Sequence, residues 1–310
     1  MAPFAIETTA LSFSFNKRQK VVDTLSLQVP QGSIFGFLGP NGAGKTTTIR
    51  LLAGMLLSGN DDIFIHGQSL QKTSPYIFQT VGCLIETPSL YLHLTAKENL
   101  TIITTLRGLP HSAIDRILQL VGLKDAAKRK VKEFSLGMKQ RLGIGMALLP
   151  NPQLLILDEP VNGLDPNGIV EIREMLIRIN REEGKTVFVS SHLLNEIEKT
   201  CTHIGVINRG VLRYQGTLEE MKHSAYSTGE VVFKMKEADH WLSAVQQTFT
   251  AAKRQAQDEI IFPFSTQEEV AEINRHLVAL QIPVTGIQVR GGLEEWFMKI
   301  INQDHKQMAQ

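Results

Sequence analysis

Sulfur is scarce in this chain, because only two of its 310 residues are cysteine. Cys83 and Cys201 lie far apart, each among apolar or small residues and without a second cysteine nearby. Neither residue therefore belongs to a zinc-binding or redox motif. We expect both thiols to be reduced and buried, as is usual in a cytosolic protein.

A strong net charge and a long hydrophobic run are also missing. The formal net charge is +1, which gives no general case for a nucleic-acid partner, and we expect none. No run approaches the ~18 apolar residues needed to cross a bilayer, and residues 1–7 do not resemble a signal peptide. We therefore expect a cytoplasmic protein that reaches a membrane only through a partner.

Glycine is concentrated in one short segment, residues 39–47, which fits the spacing G-x-x-x-x-G-K-[ST]. An apolar run precedes it at residues 34–38 and a helical pattern follows at residues 47–54, the context in which this motif binds phosphate. The candidate nucleotide-binding residues are Gly39, Pro40, Asn41, Gly42, Ala43, Gly44, Lys45, Thr46 and Thr47. The glycines let backbone N–H groups approach phosphate oxygens, and the helix that follows adds its positive end.

Within this segment, the pattern assigns Lys45 to the β- and γ-phosphates and the Thr46 hydroxyl to Mg²⁺. The alternative is a glycine-rich turn between a strand and a helix, with an exposed lysine.

Further along, buried strands alternate with helices, which predicts a parallel α/β sheet. The apolar run at residues 154–157 ends in Asp158 and Glu159, and the next buried strand leads to His192. The carboxyl ends of parallel strands line the ligand crevice. We expect Asp158 to bind Mg²⁺, Glu159 to polarise the attacking water, and His192 to contact the γ-phosphate. Ordinary strand-end carboxylates and a structural histidine are the alternatives.

An aromatic residue near the amino terminus is a further candidate. Residues 4–35 alternate apolar and polar residues, which predicts antiparallel strands ahead of the glycine-rich segment. Phe15 can stack on a nucleobase without matching its hydrogen bonds, although a place in the strand core is the alternative. A helix is expected to open at residues 139–141, after the break at residues 134–138.

Taken together, these motifs resemble an ATP-binding cassette (ABC) ATPase, the motor subunit of ABC transporters, over about residues 4–222. The glycine segment, residues 134–141, the strand-end carboxylates, residues 162–165 and residues 191–192 follow the order and spacing of that family. The resemblance implies an α/β P-loop fold with an antiparallel β subdomain, a mostly parallel core sheet and a helical subdomain at about residues 87–150. It also implies Mg²⁺-dependent ATP hydrolysis.

In this family, nucleotide lies between two domains packed head to tail. By resemblance, Ser135 and Gly137 contact the γ-phosphate held by the other copy, and Asp165 lies at the dimer seam. Two departures stand out. Leu136 interrupts the usual signature, and Glu86 occupies a position that is usually glutamine, where it is a candidate Mg²⁺ and nucleotide ligand. Both departures, with residues 84–88 and 94–100, resemble the exporters of bacitracin resistance and lantibiotic immunity.

The resemblance implies several partners and a location. They are a second copy or a homologous ATPase, and a separate permease that docks near residues 86–100 and holds the chain at the inner membrane face. Tyr91 and Leu92 are candidate contacts, with packing inside the helical part as the alternative. Soluble ABC ATPases of translation or DNA repair, and a module that hydrolyses little, are rival functions. After a polar linker at residues 223–229, we expect a small α+β domain over residues 223–310, without catalytic residues.

Overall fold

The chain divides into two compact units, and the boundary between them lies at Gly216–Thr217. The structure is a computed structural model that describes residues 4–16, 19–226, 229–290 and 293–302. A helix over Leu218–Tyr226 occupies part of the predicted linker, so the second unit begins six residues earlier than predicted. Met221 and Ala225 are buried on this helix, which the polar composition of residues 223–229 did not indicate. Residues 227 and 228 lie outside the described residues.

The first unit contains twelve strands within the described residues. In chain order they are β1 (Phe4–Thr8), β2 (Leu11–Phe13), β3 (Val22–Leu25), β4 (Gln28–Pro30), β5 (Ile34–Leu38), β6 (Ile63–Ile65), β7 (Gln68–Ser69), β8 (Val81–Leu84), β9 (Leu154–Leu157), β10 (Thr186–Ser191), β11 (His203–Asn208) and β12 (Val211–Thr217). Its α-helices are α1 (Lys45–Leu52), α2 (Leu70–Thr73), α3 (Ala96–Arg107), α4 (Ser112–Leu120), α5 (Leu136–Leu148), α6 (Pro166–Glu183) and α7 (Leu194–Thr200).

The core sheet has the strand order β12-β11-β5-β10-β9-β8, and its neighbours from β11 to β8 are parallel. Every residue of β5, β9 and β10 is buried, as expected for strands covered on both faces. A second sheet, β4-β1-β6-β7, is antiparallel, and β2 pairs antiparallel with β3. The predicted α/β fold with an antiparallel subdomain is thus confirmed.

The helical part lies between β8 and β9 and consists of α3, α4 and α5. Helix α5 begins at Leu136, three residues before the predicted start, because Ser135 caps it by accepting a hydrogen bond from the Met138 N–H at 3.2 Å. The sequence did not indicate this start, because glycines such as Gly137 lower the helix propensity of the segment. A Cβ at Gly143 would lie 2.5 Å from Cβ of Pro88, so close packing requires glycine there.

The second unit is a small antiparallel sheet with helices. Its elements are α8 (Leu218–Tyr226), β13 (Gly229–Met235), α9 (Ala238–Gln246), β14 (Lys253–Ala256), β15 (Glu259–Phe264), α10 (Gln267–Ala279), β16 (Val284–Arg290) and α11 (Leu293–Asn302). The strand order is β14-β15-β13-β16. Its own core includes Phe233, Phe262 and Leu277, which supports a separately packed α+β unit.

The described residues contain neither a membrane-spanning helix nor a disulfide bond. Within the described ranges, no helix has the length and hydrophobicity to cross a bilayer. Both cysteines are free; Cys201 is buried as expected, whereas Cys83 is only partly buried. Burial raises the pKa of the Cys83 thiol to about 12, so this thiol stays protonated at neutral pH.

Candidate functional site

The glycine-rich segment forms one wall of an open cleft of about 360 Å³ at the carboxyl end of β5. Seven of the nine predicted residues of the glycine-rich segment line this cleft, and Gly39 and Pro40 do not. The predicted base Glu159 and His192 line it as well. The lining residues are Val21, Asn41, Gly42, Ala43, Gly44, Lys45, Thr46, Thr47, Glu159, Asn162 and His192. The cleft is therefore the place where the separate sequence motifs meet.

The shape of the loop depends on two glycines. Gly44 immediately precedes α1 with φ of +105°, and a Cβ there would lie 2.7 Å from the carbonyl oxygen of Val21. At Gly39, a Cβ would lie 2.4 Å from the carbonyl oxygen of Ile207. Any larger side chain would push the loop away from these carbonyls. The loop instead curves over the start of α1, where free N–H groups favour an anion.

Lys45 is the buried cation of the site, with 6% of its side chain exposed. Its Nζ donates to the carbonyl oxygens of Gly39 and Pro40 at 2.7 and 3.3 Å. The same Nζ lies 3.1 Å from Oε1 of Glu159. These three contacts match the three N–H donors of the ammonium group, so a phosphate oxygen that bound Lys45 would have to replace one of them.

Glu159 connects Lys45 to His192 through its two carboxylate oxygens. Oε1 contacts Lys45, and Oε2 lies 2.8 Å from Nδ1 of His192. The backbone of Glu159 has φ of +48°, an uncommon conformation that turns the chain sharply after β9. The resulting row Lys45–Glu159–His192 joins the loop to two strand ends. A carboxylate held in this way can accept a proton from water in the cleft.

Asp158 is 4% exposed and lies at the end of β9 beside β10. Its Oδ1 accepts a hydrogen bond of 2.6 Å from the Ser190 hydroxyl. Thr46 supplies a hydroxyl to the cleft wall. Within the described residues, no three His, Cys, Asp or Glu side chains are placed to hold a metal. Asp158 does not line the cleft, so an Mg²⁺ site shared by Asp158 and Thr46 stays a prediction. Both residues offer oxygen atoms, the ligands of Mg²⁺, which is usually held by one or two carboxylates plus substrate phosphates.

Glu86 does not line the cleft in this structure. Its carboxylate forms an ion pair with Arg50 of α1, and its side chain is 58% exposed. Its role as a metal ligand therefore stays a prediction. Phe15 lies beyond the end of β2, is 61% exposed, and contacts Phe13 edge to face. The exposed ring does not occupy the strand core, and its stacking on a base also stays a prediction.

The predicted signature residues lie away from the lining of this cleft. Ser135 caps α5, while Asp165 caps α6 by accepting from the Gly168 N–H at 3.2 Å. The two helix starts are neighbours, because a Cβ at Gly137 would lie 3.8 Å from Cα of Gly168. The cap at Asp165 is a contact within one copy of the chain. Contacts of Ser135, Gly137 and Asp165 with a second copy stay predictions.

The cleft also contains two residues that the sequence reasoning missed, Val21 and Asn162. Val21 contributes a backbone carbonyl beside Gly44, and no sequence pattern marks such a contact. Asn162 follows the strand-end carboxylates closely, and its N–H donates to the Glu159 carbonyl at 3.0 Å. Its position within the motif at residues 162–165 was a usable signal.

The fold and the cleft define an ATP-hydrolysing P-loop enzyme of the ABC type. Comparisons with known proteins agree. The sequence profile of the ABC transporter family matches residues 22–162. The bacitracin transport ATP-binding protein BcrA of Bacillus licheniformis is 40% identical over 299 residues, which cover 96% of this chain and 97% of BcrA.

Two further matches each cover about two thirds of this chain or slightly more, and more than nine tenths of the other protein. The lantibiotic transport ATP-binding protein SrtF of Streptococcus pyogenes is 41% identical over 217 residues, covering 68% of this chain and 93% of SrtF. A solved structure of the ATP-binding subunit of an ABC transporter is 29% identical, with a TM-score of 0.62, and covers 71% of this chain and 92% of that one. The chain belongs to the ABC transporter family and is one of its ATP-binding subunits. These relatives do not support the translation or DNA-repair alternative.

Proposed function

We propose that this subunit drives a separate membrane permease that exports a peptide antibiotic, as the names of its relatives suggest. The observation that carries this proposal is the match to BcrA over 96% of the chain, both units included. The match to SrtF uses 93% of SrtF but 68% of this chain, which leaves SrtF no room for a comparable second unit. A bacitracin-type peptide is therefore the favoured cargo class over a lantibiotic.

The proposed hydrolytic roles follow from the contacts in the cleft. Lys45 leaves the loop carbonyls and Glu159 to contact the β- and γ-phosphate oxygens of ATP. Glu159, released from Lys45, orients a water molecule and accepts its proton. His192 holds the other carboxylate oxygen through its Nδ1–H, and its Nε2 can donate to the γ-phosphate at the same time only as the doubly protonated imidazolium. Thr46 and Asp158 would hold Mg²⁺, which offsets the charge that develops on the phosphate oxygens.

We further propose a head-to-tail dimer that encloses ATP. The cleft is open and its lining contains neither Ser135 nor Gly137, although both carry the signature resemblance. Ser135 and Asp165 present two neighbouring helix starts on one surface. A second copy can bring that surface to the nucleotide, where helix N-termini favour phosphate. In this arrangement each ATP is held by the loop of one copy and the signature segment of the other.

A groove where the helical part meets the core sheet is the proposed permease site. It measures about 330 Å³, and its wall includes Met55, Ile85, Pro88 and Ile103. The following segment exposes Tyr91 and Leu92, which are 54% and 48% exposed and do not pack fully within the helical part. An apolar groove beside exposed apolar side chains suits a helix of a partner. Docking there would hold the chain at the inner face of the membrane.

Antibiotic challenge of a sensitive host tests this function. The chain is expressed with the permease that co-purifies with it from membranes, and the inhibitory concentrations of bacitracin and of a lantibiotic are measured. We expect protection against bacitracin that is lost in the Lys45→Ala variant. Glu182→Gln, an exposed change at the far end of α6, is the matched control. Protection that persists in Lys45→Ala, or co-purification with ribosomes instead of a permease, would contradict the proposal.

A further inference from the structure

One buried hydroxyl group contacts both residues of the strand-end carboxylate pair. Ser190 lies in β10 and is fully buried, next to the end of the parallel strand β9. Its Oγ lies 2.6 Å from Oδ1 of Asp158 and 2.9 Å from the backbone N of Glu159. A single side chain therefore joins the proposed metal ligand to the proposed base.

The direction of both hydrogen bonds follows from chemistry. The Glu159 N–H can only donate, so the Ser190 oxygen accepts from it. An ionised carboxylate can only accept, so the single hydroxyl proton of Ser190 points to Asp158. At 2.6 Å this contact has the length of a charge-assisted O–H···O⁻ hydrogen bond. The hydroxyl uses its donor on one carboxylate residue and an acceptor on the other.

The contact with Glu159 stabilises a backbone conformation that the residue would not adopt readily. Its φ of +48° lies in the left-handed region, which is unfavourable for a residue with a Cβ. Ser190 fixes the backbone of Glu159, while His192, two residues further on, contacts its carboxylate at 2.8 Å. The end of β10 thus holds Glu159 at two points. This arrangement determines where the carboxylate points relative to Lys45.

We propose that Ser190 is a positioning residue for hydrolysis, which orients Asp158 toward Mg²⁺ and Glu159 toward the attacking water. The inference rests on the proposed roles of these two carboxylates. Ser190 is fully buried and does not line the cleft, so it acts through its two neighbours. Partners that orient a metal ligand in this way typically change metal affinity or activity by about 10–100-fold when removed.

Two substitutions of equal size isolate the hydroxyl. Ser190→Thr keeps the hydroxyl and Ser190→Val replaces it with a methyl group, so neither leaves space for a substituting water. We expect the Val variant to show a kcat about 10–100-fold below that of the Thr variant, with KM for ATP changed less than threefold. Binding of Mn²⁺ to the complex with a non-hydrolysable ATP analogue, measured by electron paramagnetic resonance, should weaken in the Val variant. ATP affinity in EDTA should stay equal.

A matched control lies at the other end of the same strand. Thr186 is 3% exposed, and its hydroxyl accepts from the Gly32 N–H at 2.9 Å. Thr186→Val makes the same exchange of hydroxyl for methyl, and we expect it to lower the melting temperature without changing kcat or Mn²⁺ affinity. Equal kcat and Mn²⁺ affinity in the Thr and Val variants of Ser190 would overturn the inference. So would a loss of kcat in Thr186→Val as large as that in Ser190→Val.

Two additional variants keep the result interpretable. If the extra methyl group prevents folding of the Thr and Val variants, Ser190→Ala is compared with the unaltered chain, and unchanged kcat and Mn²⁺ affinity overturn the inference. Glu159→Gln is measured in parallel. Native hydrolysis by Glu159→Gln would refute the proposed function itself. An inactive Glu159→Gln beside equal Thr and Val variants would refute only the role of Ser190.

Discussion

Replacing Glu159 with glutamine separates two effects that we propose for one carboxylate. In the structure, this carboxylate pairs with Lys45 at 3.1 Å, so it would compete with a phosphate oxygen for the ammonium group. During hydrolysis, the same carboxylate is the proposed proton acceptor. Glutamine keeps the size of the side chain and removes its charge. We therefore expect Glu159→Gln to bind ATP more tightly and to hydrolyse it more slowly.

The expected magnitudes follow from the burial of the pair. The side chains of Lys45 and Glu159 are 6% and 19% exposed, so solvent screens their interaction little. A hydrogen bond to a charged group contributes about 1.5–3 kcal/mol, and the glutamine oxygen retains part of it. Loss of about 1.4 kcal/mol from the free state corresponds to about tenfold tighter ATP binding. Loss of a general base lowers the rate by about 10²–10⁴-fold.

The two effects need separate assays. Affinity is measured by titrating a fluorescent ATP analogue in EDTA, where hydrolysis is suppressed, and the rate by phosphate release in a single turnover with Mg²⁺. Glu182→Gln, which removes an exposed carboxylate, should change neither quantity. Weaker or unchanged binding by Glu159→Gln would mean that Lys45 does not have to leave this carboxylate. A native rate would remove Glu159 from the reaction.

Four other changes have expected outcomes. Lys45→Ala should weaken ATP binding by about 1.5–3 kcal/mol in the same titration, and unchanged affinity would exclude Lys45 from the site. Gly44→Ala places a Cβ 2.7 Å from the Val21 carbonyl oxygen at φ of +105°, so scanning fluorimetry should show a lower melting temperature and no stabilisation by ATP. Glu86→Gln should stay active and show a shallower Mg²⁺ dependence than the unaltered chain, whereas superimposable titration curves would mean that Glu86 does not touch the metal. Truncation after Thr217 should keep ATP affinity, because the residues lining the cleft lie before it, and a folded truncation that binds no ATP would contradict this.

The sequence predicted the centre of the first unit well, for physical reasons. Strands buried on both faces must be almost wholly apolar, so β5, β9 and β10 stood out as continuous runs. The glycine-rich loop has no space for a Cβ at Gly39 or Gly44, so its sequence must contain glycine there and is easily recognised. A strand at the edge of a sheet does not need an apolar sequence. Strand β14, residues Lys253–Ala256, is exposed along its whole length and was not predicted, because its partner β15 rather than its own composition determines its position.

The contacts within the site were harder to predict than the identity of the residues that form it. Motif spacing identified Lys45, Glu159 and His192 separately, but not the contacts that join them in a row. Glu86 illustrates the limit, because its partner Arg50 is 36 residues away and follows no local pattern. The hydroxyl of Ser190 gave no signal either, since a serine in a buried strand becomes informative only when the neighbouring strand is in place.

We expect this chain to hydrolyse ATP at the cleft where Lys45 and Glu159 meet. Steady-state phosphate release, measured with the unaltered chain and with Lys45→Ala purified in the same way, tests it most directly. We predict release that requires Mg²⁺ in the unaltered chain and release at background level in the variant. Equal release by both proteins, or none from a folded chain supplied with Mg²⁺, ATP and its co-purifying permease, would contradict the claim.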